Sequence, residues 1–249
     1  MTNIPRLFVD APLQLGESVS LDDGQGKYLT RVMRLADGAT VRAFNGRDGE
    51  YACLLQVSGK QVAVLPATLK RQQYNGCDLT LLFAPLKKTR TDFVVEKASE
   101  LGVISIQPVI TEFTQTSRVR ADRLRATAIE AAEQTERLDV PEISEAIPLG
   151  KALSAWNPAK PLYFCNEAAT AKPMWECLTA DAPTAAGILI GPEGGFSSRE
   201  REILLALDFV IPITLGPRIL RAETAVVSAL TLWQSKLGDW HQRPYVPET

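Results

Sequence analysis

The feature that most constrains this chain is a change of hydrophobic pattern near Leu79. Before it, short apolar stretches are separated by turns. Val41-Arg-Ala-Phe-Asn-Gly46 and Glu50-Tyr-Ala-Cys-Leu-Leu55 flank Gly46-Arg-Asp-Gly49, which is a hairpin signal. Val62–Leu65 reads as another strand, and a short helix is predicted between Lys27 and Leu35, ended by Asp37-Gly38. Several short strands in about 70 residues suggest a small barrel.

After Leu79, apolar runs alternate with helical patterns. Leu79–Ala84 suits a buried parallel strand. The spacing predicts a helix over Arg90–Leu101, with Thr89 as cap and Gly102 as stop. Phe93, Val94, Ala98 and Leu101 would form its buried face. Ile104–Ile110 reads as a strand and 121–137 as a long helix, with Leu124, Ala128, Ile129 and Ala132 on one side. Leu162–Cys165, Gly187–Ile190 and Phe209–Leu215 are further strands, and Ala222–Leu237 is the last helix. Strands alternating with helices imply an α/β domain with a mostly parallel sheet. The boundary falls in the polar stretch Arg71-Gln-Gln-Tyr-Asn-Gly76, giving domains 1–74 and 75–249.

Composition excludes several function classes. The chain has 249 residues, with 45% hydrophobic and 22% charged, enough apolar material for a core. The 27 basic and 29 acidic residues nearly cancel, so nucleic-acid binding would need local patches. Residues 1–74 carry 9 basic and 7 acidic groups, which makes them slightly the more basic part. Cys53, Cys77, Cys165 and Cys177 form no C-x-x-C pair, which argues against a disulfide framework or zinc site and fits a reducing cytoplasm. His241 is the only histidine, which argues against Ser-His-Asp and Cys-His hydrolase chemistry and against His-rich metal sites. The N-terminal residues lack signal-peptide character, and no apolar run approaches the ~18 residues of a membrane span.

Two glycine-bearing loops carry the chemistry. In Gly187-Ile-Leu-Ile-Gly-Pro-Glu-Gly-Gly-Phe-Ser-Ser198, an apolar strand runs into Gly191-Pro-Glu-Gly-Gly195, and Ser197 with Glu200 makes a capping box. Paired glycines let backbone approach a ligand at a strand's carboxyl end, where open α/β sheets bind. The same loop also reads as a plain strand-to-helix turn. Neither G-x-G-x-x-G nor G-x-x-x-x-G-K-[ST] occurs. Leu215-Gly-Pro-Arg-Ile-Leu-Arg-Ala-Glu-Thr-Ala225 repeats the arrangement at another strand end, with Ile219 and Leu220 suited to an apolar pocket wall. Glu223 also suits a helix first turn on dipole grounds alone. The pair of loops favours a small-molecule site. Arg118-Val-Arg-Ala-Asp-Arg-Leu-Arg125 and Lys87-Lys-Thr-Arg90 are basic clusters, and Lys27, Arg31 and Arg34 fall at i, i+4 and i+7. Each of these reads either as a solvated face or as a phosphate-binding surface.

Taken together, five segments resemble the RsmE family of 16S ribosomal RNA uridine-N3 methyltransferases, within the SPOUT superfamily. They are Tyr28-Leu-Thr-Arg-Val-Met-Arg-Leu35, Glu96-Lys-Ala-Ser-Glu-Leu-Gly-Val103, Ala131-Ala-Glu-Gln-Thr-Glu-Arg137, Gly191-Pro-Glu-Gly-Gly-Phe-Ser197 and the segment Leu215–Ala225. They span nearly the whole chain in the family's order. Thr111-Glu-Phe-Thr114 departs from the pattern, where a more basic segment is expected. The resemblance implies a small N-terminal PUA-like, RNA-binding β-barrel and a SPOUT α/β domain with a C-terminal trefoil knot. It also implies a cytoplasmic homodimer, S-adenosyl-L-methionine as cofactor, no metal, and 3-methyluridine formed in the decoding region of 16S RNA on the small ribosomal subunit.

The resemblance further assigns residues. Cys165, Asn166 and Glu167, then Gly191, Pro192, Glu193, Gly194 and Gly195, then Leu215, Gly216, Ile219 and Leu220 would hold the cofactor. Arg6, Lys27, Arg31, Arg34, Arg118 and Arg120 would hold RNA phosphates, which position rather than specify. Uridine N3 is a poor nucleophile until its proton is lost, so the site must position N3 and help remove that proton. Arg221 would stabilise negative charge spreading onto uracil O2 and O4, and Glu223 would act as base or orienting group. The rivals are a SPOUT enzyme acting on another RNA position or on ribose 2′-OH, a non-catalytic RNA-binding protein, and a nucleotide-phosphate enzyme. The last is disfavoured because Glu193 is the only charged residue in its loop.

Overall fold

The computed structural model describes residues 4–74, 76–116, 119–166, 171–243 and 245. Described residues up to 74 form one compact unit together with 132–140 and 245; the other described residues form the second unit.

The first unit holds β1 (Arg6–Phe8), β2 (Val19–Ser20), α1 (Asp23–Lys27), β3 (Thr40–Phe44), β4 (Glu50–Ser58) and β5 (Gln61–Arg71). These strands make a curled five-stranded sheet in the order β1-β3-β4-β5-β2. The β3–β4 hairpin is antiparallel, with Arg42 opposite Ala52, while β1 runs parallel to β3. Alternating residues Leu7, Val41, Ala43, Cys53, Leu55 and Val64 point into one core, the period-2 signature of a one-sided sheet. Burial pushes the Cys53 thiol up to about 12, so it packs as a neutral side chain.

Two expectations for this unit are corrected. The helix begins before Lys27, because Asp22 and Gln25 form a capping box that fixes the start of α1. A π-helical turn then covers Tyr28–Val32, and Arg34 lies beyond it with φ +56°. Lys27, Arg31 and Arg34 therefore do not share one face of a regular helix, although all three are exposed. Arg6 is not a free phosphate ligand. Its side chain is buried, with Nε 2.5 Å from Glu50 Oε2 and a terminal nitrogen 2.6 Å from the Ala132 carbonyl. Arg42 and Arg71 pair with the same Glu50 and with Glu136. Buried charge requires such partners, and here they consume the cation.

In the second unit lie β6 (Leu79–Phe83), α2 (Lys88–Glu100), β7 (Ser105–Ile110), most of α3 (Ala121–Gln134), β8 (Glu142–Ile143), β9 (Ile147–Pro148) and α4 (Leu149–Ala155). They are followed by β10 (Leu162–Cys165), β11 (Lys172–Pro173), α5 (Met174–Cys177), β12 (Ala186–Ile190), α6 (Ser198–Leu205), β13 (Val210–Thr214) and α7 (Ala222–Lys236). The sheet is parallel throughout, ordered β11-β13-β10-β12-β6-β7-β8, with β9 paired to β7. Every residue of β12 is buried, as a doubly covered parallel strand requires. Leu82, Leu162, Phe164, Leu189, Phe196 and Leu204 share one core cluster.

In α2 the buried face is Thr91, Val94, Val95, Ala98 and Ser99. Phe93 is instead 40% exposed, and Leu101 is half-buried. The helix starts at Lys88, so Thr89 is not its cap. The Thr91 hydroxyl donates to the Leu86 carbonyl at 2.9 Å and turns the face. No helix among the described residues is long and apolar enough to cross a membrane.

Candidate active site

Strands β13, β10 and β12 are parallel neighbours, so the segments after them emerge side by side at the sheet's carboxyl edge. Those segments wall one cavity of about 330 Å³, which the start of α7 closes. Of the residues expected there, Cys165, Asn166, Gly191, Pro192, Glu193, Gly195, Leu215, Gly216, Ile219, Leu220 and Arg221 come together in its wall. Glu167 and Arg118 lie outside the described residues.

Local sequence explains the loop shapes. Ser197 Oγ accepts from the Glu200 N–H at 3.2 Å, and the Ser197 N–H donates to Glu200 Oε2 at 2.9 Å. This capping box fixes where the loop after β12 ends. At the loop's start, a Cβ on Gly191 would sit 2.6 Å from the Phe196 ring. That ring is buried and meets Phe164 edge-on at 5.0 Å, so it has nowhere to go. Gly216 has φ +110°, a conformation L side chains rarely adopt. The N–H groups of Gly216, Arg218, Ile219 and Leu220 donate to no backbone carbonyl among the described residues, leaving donors on the cavity's loop.

The cavity wall is amphipathic. Ile190, Ile213, Ile219, Leu220 and Ala225 supply apolar surface, while Glu193, Arg201, Arg218 and Arg221 supply charge. Burial pushes the Cys165 thiol well up, so it is a neutral contact rather than a thiolate nucleophile. Among the described residues no group of three or more His, Cys, Asp or Glu side chains could hold a metal ion.

Two expected site residues stand elsewhere. Gly194 does not line the cavity; its Cα faces Phe113, where an added Cβ would meet the Phe113 Cβ at 3.1 Å. Glu223 does not line it either. Its Oε1 lies 3.7 Å from Arg90 Nε because the first turn of α7 faces α2, and its Oε2 is buried without a hydrogen-bond partner. Arg120 pairs with Asp122 at 2.6 Å on the surface, and Lys27 is 3.7 Å from Asp23.

Sequence reasoning missed Arg90, Arg201, Arg218 and Phe196. Arg90 Nη1 donates to Glu193 Oε1 at 3.1 Å across 103 residues of chain, and no local spacing signals that pairing. Arg201 and Phe196 were findable as close followers of the glycine loop, and Arg218 stood inside the second motif.

Comparison with known proteins gives a consistent set of likenesses. Residues 73–234 match a family model described as an RNA methyltransferase domain, and 21–65 match one described as an RNA methyltransferase PUA domain. The chain is similar to a ribosomal RNA small subunit methyltransferase E of Rickettsia conorii, 33% identical over 90% of this chain and 93% of that one. A protein of the same description from Synechocystis is 31% identical over 90% of this chain and 75% of its own. Among solved structures, the ribosomal RNA small subunit methyltransferase E of Neisseria gonorrhoeae bound to S-adenosyl methionine has a TM-score of 0.82 at 27% identity. It covers 96% of this chain and 100% of that one.

Proposed function

Because the chain belongs to the ribosomal RNA small subunit methyltransferase E family, we propose that it methylates N3 of a uridine in the decoding region of 16S ribosomal RNA, using S-adenosylmethionine. The substrate is the assembled small subunit, and the enzyme works in the cytoplasm as a homodimer. The observation that carries the reading is the one cavity shared by Cys165 and Asn166 at the end of β10 and by the loops after β12 and β13. In this reading the second unit is a SPOUT domain whose C-terminal part is a trefoil knot, and the first is the RNA-holding PUA-like module. The position of β10 between β12 and β13, both later in the chain, supports the SPOUT assignment.

The residues fit the cofactor. A volume of about 330 Å³ lies within the range of small-molecule pockets. The N–H groups of Gly216, Arg218, Ile219 and Leu220, which donate to no backbone carbonyl among the described residues, suit the polar edge of an adenine and a carboxylate, and Ile190 and Ile213 suit the ring's faces. Among the described residues Glu193 is the one carboxylate in the wall, and it suits ribose hydroxyls or an amino group. When bound, S-adenosylmethionine supplies a sulfonium methyl group open to in-line attack.

The chain's own residues have two tasks. Arg221 reaches the cavity and its side chain has no ion-pair partner among the described residues, so its guanidinium is available to uracil O2 or O4. A cation there favours the N3-deprotonated uracil, since that charge is shared by both oxygens. Glu223 acts as an orienting group rather than a base, because its carboxylate faces Arg90. Lys27, Arg31 and Arg34 are exposed on the first unit and suit RNA phosphates, with Arg120 a further contact.

The test is methyl transfer from labelled S-adenosylmethionine to small subunits from cells lacking this protein, followed by nucleoside mass analysis. Labelled 3-methyluridine is expected. Label in another nucleoside keeps the cofactor and overturns the target; no label with no cofactor binding overturns the reaction.

A further inference from the structure

Arg90 stands in an unfavourable place for a helix. It lies in the first turn of α2, which has no side-chain cap and no acidic residue, so the helix dipole repels its charge. What offsets this comes from two distant segments. Arg90 Nη1 is 3.1 Å from Glu193 Oε1 and Arg90 Nε is 3.7 Å from Glu223 Oε1. One guanidinium thus addresses two carboxylates from two different nitrogens of a rigid planar fork, a fixed spacing that a single ammonium nitrogen does not offer.

We propose that Arg90 is a positioning residue for the methyl-transfer reaction: it ties Glu193, in the loop after β12, to Glu223, in the first turn of α7, and so presets the cofactor cavity. The proposal rests on the methyl-transfer reading above. The loop after β12 is fixed at its start by the close fit of Gly191 on Phe196 and at its end by the Ser197–Glu200 box. Between them run Pro192, Glu193, Gly194 and Gly195, closed by one backbone hydrogen bond from the Gly195 N–H to the Pro192 carbonyl at 2.9 Å and loosened by two adjacent glycines. Arg90 holds the one side chain in that stretch that can be held. It also gives Glu223, only 17% exposed and with Oε2 unpartnered, the nearest opposite charge. Loss of Arg90 leaves the loop to be ordered when cofactor binds, which weakens binding without touching the reacting atoms.

The test compares Arg90→Ala, Arg90→Lys, Glu193→Gln and the Arg90→Ala/Glu193→Gln double variant in the full-length protein. Calorimetry gives the Kd for S-adenosylmethionine, and turnover on small subunits gives kcat and the KM for cofactor. Arg90→Ala and Glu193→Gln should each raise Kd and KM about tenfold and leave kcat within about threefold. The double variant should be no worse than the weaker-binding single, and Arg90→Lys should fall between Arg90→Ala and the wild type. An unchanged Kd in Arg90→Ala overturns the proposal. So do a fall in kcat at unchanged Kd, which makes Arg90 an RNA contact, and additive losses in the double variant, which show that Arg90 does not act through Glu193. If the wild-type protein binds no S-adenosylmethionine, the methyl-transfer reading has failed instead. Hydrogen exchange of the Gly194 and Gly195 amides then decides the tie: about tenfold faster exchange in Arg90→Ala supports it, and unchanged exchange overturns it.

Discussion

Arg6 Nε donates to Glu50 Oε2 across 2.5 Å, with 3% and 0% of the two side chains exposed. Arg42 and Arg71 complete the cage around Glu50, at 3.2 and 2.8 Å. Burial opposes the Glu50 charge, but hydrogen bonds from Arg71 and Arg6 outweigh it and hold the carboxyl below the usual range. A folded-state pKa below the unfolded one contributes stability that is full above the ordinary glutamate value, about 4.3, and is lost as pH falls through and below it. The thermal midpoint of the first unit should therefore drop as pH falls from about 5 to about 3. Glu50→Gln should lower the midpoint at neutral pH, by the equivalent of about 3–5 kcal/mol, and flatten the acid limb. Equal acid limbs in the two proteins would refute the assignment.

That same pair marks where sequence reading ends. Arg6 looked like a basic residue of a basic module, because its partner Glu50 is 44 residues away and Glu136 is further still. The strands and the two glycine loops were legible because their signals are local: an apolar run, then glycine, and after the first loop a capping box. The face of α2 was misread by its register, since Phe93 is as apolar as Val95 and only tertiary packing decides between them. In sequence, Arg90 reads only as one of the basic residues of Lys87–Arg90, for the reason Arg6 was misread. Its meaning lies in two distant carboxylates, Glu193 in the loop after β12 and Glu223 in the first turn of α7.

Gly191 and Gly216 are needed for different reasons, and alanine separates them. At Gly191 the obstacle is space, 2.6 Å to the buried Phe196 ring, so Gly191→Ala should cost about 1–3 kcal/mol of stability as well as cofactor affinity. At Gly216 nothing lies within 4 Å of an added Cβ, and the obstacle is φ +110°. Gly216→Ala should reshape its own loop, raising the cofactor Kd by at least about tenfold while the melting temperature moves little, since an exposed loop relaxes its strain locally. Thermal denaturation and calorimetry on both variants check this. A matched loss of stability in the two would show that the Gly216 loop is as tightly packed as the Gly191 loop.

Arg221 is the cavity-wall cation placed at the start of α7, and its assigned work begins only when uracil carries charge. Arg221→Ala should lower single-turnover methyl transfer by about 10²–10³, the usual cost of one oxyanion donor, while the cofactor Kd stays within about threefold. Raising pH should partly rescue the variant, because the uracil N3 proton then leaves without help. A loss confined to cofactor Kd would make Arg221 a binding residue only.

Lys27, Arg31 and Arg34 are exposed around a π-helical turn, with the exposed Tyr28 and Val32 among them. Because they do not share one regular helical face, they suit phosphates along a bent path rather than a straight groove. Lys27 is already near Asp23 at 3.7 Å, so it should contribute least. Arg31→Ala and Arg34→Ala should each weaken small-subunit binding and reduce the slope of log K against log salt by about 0.7–0.9, the value of one released counterion. Lys27→Ala should change the slope by less. None of the three should move the melting temperature of the first unit, whereas Arg6→Ala should lower it sharply by stranding Glu50. Filter binding of labelled subunits between about 50 and 200 mM salt gives the slopes. Unchanged slopes in both arginine variants would remove this surface from the RNA path.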